Sequence, residues 1–243
     1  MPFRTLDPQK ILVTAQELHR RVAGRFPDRG LSRVATELVA EAQATIAETQ
    51  ALRPPIWWLR ALVGAVVLAG AGVFLMVGSV IPLNQIGQRS MGSFEGIEAA
   101  LNIAVLGGLA LVALSGLEAR VKRRRVARGL HGLRAIIHVI DMHQLTKDPL
   151  ALTGGYVSHA TSPPRDMTAA ELERYLDYCS EMLAITGKLA ALYAQAVPDD
   201  GVAQAVNDIE TLGSSLGRKI WQKITLIGPL AAPGRAARRG PAD

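Results

Sequence analysis

The densest group of side chains able to do chemistry is the run His138-Val139-Ile140-Asp141-Met142-His143, with Asp148 downstream and His131 upstream. Imidazole and carboxylate are good ligands for zinc or iron. On a helix, His138 and Asp141 are three apart and share a face. His143 is five from one and two from the other, so it points elsewhere. The strong helical zinc motif sets its two histidines four apart with a glutamate between them, and this run departs from it. His131 and His138 lie two turns apart on one face, too distant to share an ion unaided. His138, Asp141 and His143 therefore form a candidate metal set. The plainer reading is a helix end where His143 and Lys147 meet the negative pole of the helix dipole.

Other chemistry is weaker. Thr186-Gly187-Lys188 ends like a phosphate-binding loop but lacks the upstream glycine and the preceding strand. Ser158-His159 has no glycine-flanked nucleophile elbow. Gly154-Gly155-Tyr156 reads as a turn. No catalytic or cofactor-binding residues are assigned, no cofactor is expected, and enzymatic activity has no motif to rest on.

The elements that would carry these residues are organised around two apolar stretches. Ile56–Ile81 carries a single charge, Arg60, and Ala99–Leu117 carries none. A bilayer core about 30 Å thick needs about 20 apolar residues of helix. The stretch between them holds Pro82, Asn84, Gly87, Ser90, Gly92 and Gly96 and reads as a turn-rich loop. The expected fold is an all-α integral membrane protein. It has a two-helix transmembrane hairpin and a cytoplasmic helical bundle built from segments on both sides of it.

Charge sets the expected orientation. The chain of 243 residues has a net charge of +6, and Arg120, Lys122, Arg123, Arg124, Arg125 and Arg128 crowd just after the second apolar stretch. Arg53 and Arg60 flank the start of the first, whereas the loop has Arg89 against Glu95 and Glu98. The positive-inside rule then places both termini in the cytoplasm and the loop outside the inner membrane. The basic run is read as binding anionic lipid headgroups. No nucleic-acid recognition motif accompanies it. Trp57 and Trp58 suit a membrane interface. The one cysteine, Cys179, makes no internal disulfide and fits a reducing compartment.

Along the chain, Asp7-Pro8 is a helix start. Stripes at Ile11, Ala15, Leu18 and Val22, then at Leu31, Val34, Leu38, Ala42 and Ile46, predict an αα-hairpin. Leu130, Leu133, Ile137 and Ile140 form a third stripe. Thr168 and Glu171 form a capping box. It is followed by apolar residues at alternating spacings of three and four through Tyr193, and again from Val202 to Ile220, as in coiled-coil seams. No alternating run predicts a strand.

The expected division is therefore as follows. Residues 1–55 form an N-terminal cytoplasmic hairpin, 56–82 the first membrane helix, 83–96 an external loop and 97–118 the second membrane helix. Residues 119–148 form a basic juxtamembrane helix, 149–167 a loop, 168–228 an antiparallel helix pair and 229–243 a disordered basic tail.

Small residues recur every fourth position in both apolar stretches: Ala61, Ala65 and Ala69, then Ala100, Ala104 and Gly108. Small side chains allow close helix approach in lipid. They serve either packing of the hairpin on itself or association into a homo-oligomer. Asn102 is the only amide in the second stretch. Three functions follow. The first is a membrane-anchored interaction or scaffold protein with a cytoplasmic protein partner. The second is a two-helix pore-forming or membrane-perturbing effector. The third is a metal-dependent membrane enzyme.

Overall fold

The computed structural model of the chain describes residues 5–80, 90–152, 159, 161 and 167–230. Seven α-helices account for nearly all of them: α1 Pro8–Arg25, α2 Gly30–Leu52, α3 Trp57–Val80, α4 Ser90–Ser115, α5 Leu117–Leu145, α6 Ala169–Ala196 and α7 Asp200–Leu230. A short 3-10 turn, Pro149–Leu152, follows α5, and no strand occurs among the described residues. The chain divides into two compact units. One is Met1–Arg53 with Arg125–Asp243, and the other is Pro54–Arg124.

The first unit is a helical bundle. Its starts follow local chemistry. Asp7 caps α1, its side chain accepting from the Gln9 N–H at 3.0 Å, with Pro8 opening the helix. Thr168 and Glu171 satisfy each other's backbone N–H groups at the start of α6, as a capping box requires. The apolar stripes of α1, α2, α5, α6 and α7 join in one core. Leu18, Leu31, Leu38, Leu133, Ile137, Leu176 and Leu189 are among its fully buried members. The segments before and after the apolar stretches thus share one core, because a single helix pair buries only one stripe of each helix.

The helix pair α6 and α7 is joined by a three-residue turn and packs most extensively. Thr186 lies within α6, its hydroxyl donating to the Met182 carbonyl at 2.9 Å, so Thr186-Gly187-Lys188 is plain helix. Tyr175, Tyr178 and Tyr193 are all buried, as seam residues should be. Phe26, at the end of α1, sets its edge against Tyr175 and Tyr178, with centroids 5.5 and 6.2 Å away.

Two glycines let α5 into this bundle. Tyr193 lies against Gly129, where its hydroxyl donates to Glu48 Oε2 at 2.5 Å. Gly132 faces the Glu41 carboxylate, 2.6 Å from where a Cβ would stand. Burial, then the neighbouring Glu37 and Glu48, push the Glu41 carboxyl above the usual carboxylate range.

In the second unit α3 and α4 contact each other. At the helical rise of about 1.5 Å per residue, the 24 residues of α3 span about 36 Å. Helix α4 starts at Ser90, so Ser90–Gly96, expected in the loop, are helical. The physical reason is that Gly92 and Gly96 weaken a helix but do not stop it when apolar residues follow. The expected membrane loop at 83–89 and the tail from 231 lie outside the described residues. Gly116 interrupts the regular helix between α4 and α5 for a single residue, and the backbone bonds Gly116 to Val112 and Arg120 to Gly116 bridge it.

Gly129→Ala should destabilise the chain by about 1–3 kcal/mol, the usual cost of overpacking. The added methyl would fall on the Tyr193 ring and hydroxyl. Gly132→Ala should cost less, because the opposing Glu41 carboxylate can swing away. Denaturant unfolding followed by far-UV circular dichroism checks the order.

Candidate functional site

The HVIDMH run forms the last turns of α5. His138 is exposed. Asp141 Oδ1 accepts from Gln144 Nε2 at 2.6 Å. His143 packs against Gly30 at the start of α2 and lies 3.5 Å from the Tyr175 hydroxyl. The three residues therefore have three different neighbourhoods. Among the described residues no three His, Cys, Asp or Glu side chains are placed to hold a metal ion. The reason is the one visible in the spacing: offsets of two and five turn His143 away from the face that carries His138.

The run instead builds a polar latch that sequence reasoning missed. The Lys223 ammonium, brought over by α7, donates to the Gln144 carbonyl at 2.8 Å and to its Oε1 at 2.7 Å. Gln144 passes the link to Asp141. A cation on the last carbonyls of a helix offsets both the unpaired acceptors and the dipole. Burial lowers the Lys223 pKa, while Asp148 and Asp141 oppose that. Lys147 lies over the Tyr175 ring at 5.3 Å from its centroid. Cys179 is fully buried beneath this cluster, and burial pushes its thiol up to about 12. A thiol so protonated is neither a nucleophile nor a ligand at neutral pH. Lys223 is one of several cations on α7, and sequence alone does not pair it with a helix end 79 residues away.

The basic run is divided by the fold. Arg120, Arg123, Arg124, Arg125 and Arg128 are exposed on α5. Lys122, expected with them at lipid headgroups, is instead largely covered, its side chain 15% exposed. Its ammonium contacts Glu118 Oε1 at 3.1 Å and donates to the Pro54 carbonyl at 3.1 Å. Glu118 also accepts from the Ile56 N–H at 3.2 Å and from Arg60 Nε at 2.8 Å. A carboxylate placed at the start of α3 meets the positive end of that helix. Arg60 in turn lies 6.0 Å from the centroid of Trp57.

The described small residues of the two apolar helices are open. Ala61, Ala65, Ala69 and Gly108 are exposed, as is Asn102. The side chains of Ala100 and Ala104 lie outside the described residues. A Cβ built on Gly64, Gly72, Gly107 or Gly108 would meet nothing within 4 Å. Among the described side chains of α3, Val63 and Gly64 are partly buried and Leu59 is buried at its start.

One helical run among the described residues, Gly30–Gly72, which passes from α2 into α3, is long and apolar enough to cross a membrane, and its most apolar part is almost wholly exposed. No family model, no curated protein and no solved structure matches the chain.

His143 provides a pH test. Burial first, then Arg33 and Lys147, hold its pKa below the ordinary histidine value of about 6.5. The unfolded chain then binds a proton that the folded chain refuses. The stability is complete above about 6.5 and is lost as pH falls through that value toward the folded pKa. Unfolding midpoints should therefore fall between pH 7.5 and 5.5, and His143→Gln should flatten that fall.

Proposed function

We propose that the chain is a membrane-anchored helical interaction protein. In this reading 56–118 is a two-helix transmembrane hairpin and the bundle is a cytoplasmic docking surface. The observation that carries it is the uncovered apolar surface of α3 and α4. Leu68 is 73% exposed and Val112 is 70% exposed, amid Leu62, Val66, Leu101, Leu106 and Leu109. A contiguous apolar surface of this kind marks a membrane or protein interaction site, and both helices have the length for a bilayer.

The exposed arginines of α5 support the cytoplasmic placement of the bundle and a surface rich in anionic lipid. Each basic side chain near such a leaflet contributes on the order of 1 kcal/mol. Trp57, Trp58 and Arg60 fit the same interface, where rings and long cationic stems are at home. Trp221, 64% exposed, does not cap the core.

Cysteine labelling tests the topology. The native Cys179 is buried, so a thiol introduced by Gln88→Cys is the accessible one. In membrane vesicles of known sidedness it should react with an impermeant maleimide only from the external face. Replacing the five exposed arginines by Gln should scramble that sidedness. Labelling that stays external would show that the run does not set orientation.

The exposed small-residue faces and exposed Asn102 favour a second reading, in which copies associate through the apolar helices as a pore-forming effector. Liposomes holding the purified chain should then leak steeply with protein density, and Asn102→Leu should suppress the leak. A leak that Asn102→Leu leaves unchanged would remove this reading.

A further inference from the structure

The face of the bundle formed by α1 and α6 carries a trough of about 1110 Å³. Its floor is apolar, with Ile11 and Ile185 buried and Leu6 and Ala184 beside them. From Glu181 to Gln195 it follows α6 for about 21 Å, at the helical rise of about 1.5 Å per residue. One end is fixed by a reciprocal amide pair. The Leu6 N–H donates to Gln195 Oε1 at 2.9 Å, and Gln195 Nε2 donates to the Leu6 carbonyl at 3.2 Å.

The charges on its walls are unbalanced. Asp7 is engaged in capping α1. Glu181 is held by both terminal nitrogens of Arg21, which lies outside the trough. Lys10, Arg53 and Lys188 also line it, and none of them makes an ion pair among the described residues. Lys188 donates only to its own helix, at the Ala184 carbonyl. Both acids are engaged and the three cations have no ion-pair partner among the described residues, so the trough presents a net positive rim over an apolar floor.

Its shape selects among anionic occupants. The trough is a partly open groove, neither an enclosed cavity nor a flat surface. An acyl chain needs cover on all sides to leave water, whereas an amphipathic helix needs cover only along its apolar stripe. We propose that this trough docks an acidic amphipathic helix of about four turns from a partner protein. The apolar stripe would lie on Ile11, Ala184 and Ile185, and carboxylates would face Lys10, Arg53 and Lys188. This is helix-in-groove recognition with electrostatic selection of the partner. The proposal rests on the reading of the bundle as a docking surface.

The test uses the full chain in phosphatidylcholine nanodiscs, with empty nanodiscs as the blank. The probe is a fluorescein-labelled four-turn peptide with leucines on one stripe and glutamates elsewhere, paired with a peptide carrying lysines in their place. Anisotropy should report saturable binding of the glutamate peptide, weakened by added salt, and little binding of the lysine peptide. Lys10→Glu, Arg53→Glu and Lys188→Glu together should weaken binding at least tenfold. Ala184→Lys, at an exposed position on the floor, should weaken it by obstruction while leaving the circular dichroism unchanged. Equal binding of both peptides, no binding of the glutamate peptide, or unchanged binding by the folded triple variant would each overturn the proposal. None of these outcomes bears on insertion of 56–118, which the maleimide assay reads separately.

Discussion

The bundle depends on how closely α5 can approach α2 and α6. Interiors are packed at the density of organic crystals, so the width of one methyl group decides whether two elements meet. At Gly129 the Tyr193 hydroxyl and the Glu48 carboxylate occupy the space a side chain would need, and Gly132 does the same for Glu41. With that room, Leu130, Leu133, Ile137 and Ile140 reach the common core. Without it, α5 would stand off from the segment that precedes the apolar stretches.

The same helix is held by polar groups near each end, one set in each unit. Near its start Glu118 gathers the Ile56 N–H, Arg60 and Lys122. At its end Lys223 gathers the Gln144 carbonyl and side chain, and Gln144 gathers Asp141. Both arrangements answer the same need, since helix ends leave backbone groups unpaired and carry partial charge. Gln144 and Glu118 thereby join helices that are distant in sequence.

Much of the bundle was legible from residue types alone. Asp7-Pro8 and Thr168 with Glu171 announced helix starts that depend on local bonds, and these formed as expected. The stripe Ile11, Ala15, Leu18 and Val22 is buried because period 3.6 puts those residues on one face. Ser90–Gly96 misled the reading because glycine and serine lower helix propensity without breaking a helix. Lys122 was grouped with its neighbours because sequence shows a run of charge but not which member turns inward. The trough between α1 and α6 left no trace in the sequence at all. Its residues are separated by up to 190 positions and meet only when the two helices pack.

What the sequence by itself determined is the all-helical class, the caps, the faces that go inward and the two long apolar stretches, because each follows from local bonding, composition or periodicity. Tertiary structure alone decided which polar residues pair. Lys223 with Gln144, Glu118 with the start of α3, and Tyr193 with Glu48 are contacts between distant segments, set by how rigid helices fit together. It also dispersed His138, Asp141 and His143 into separate surroundings and, among the described residues, gave Lys10, Arg53 and Lys188 no ion-pair partner. A side chain's partner is a property of the packed fold, whereas its preference for a helix face is a property of the chain.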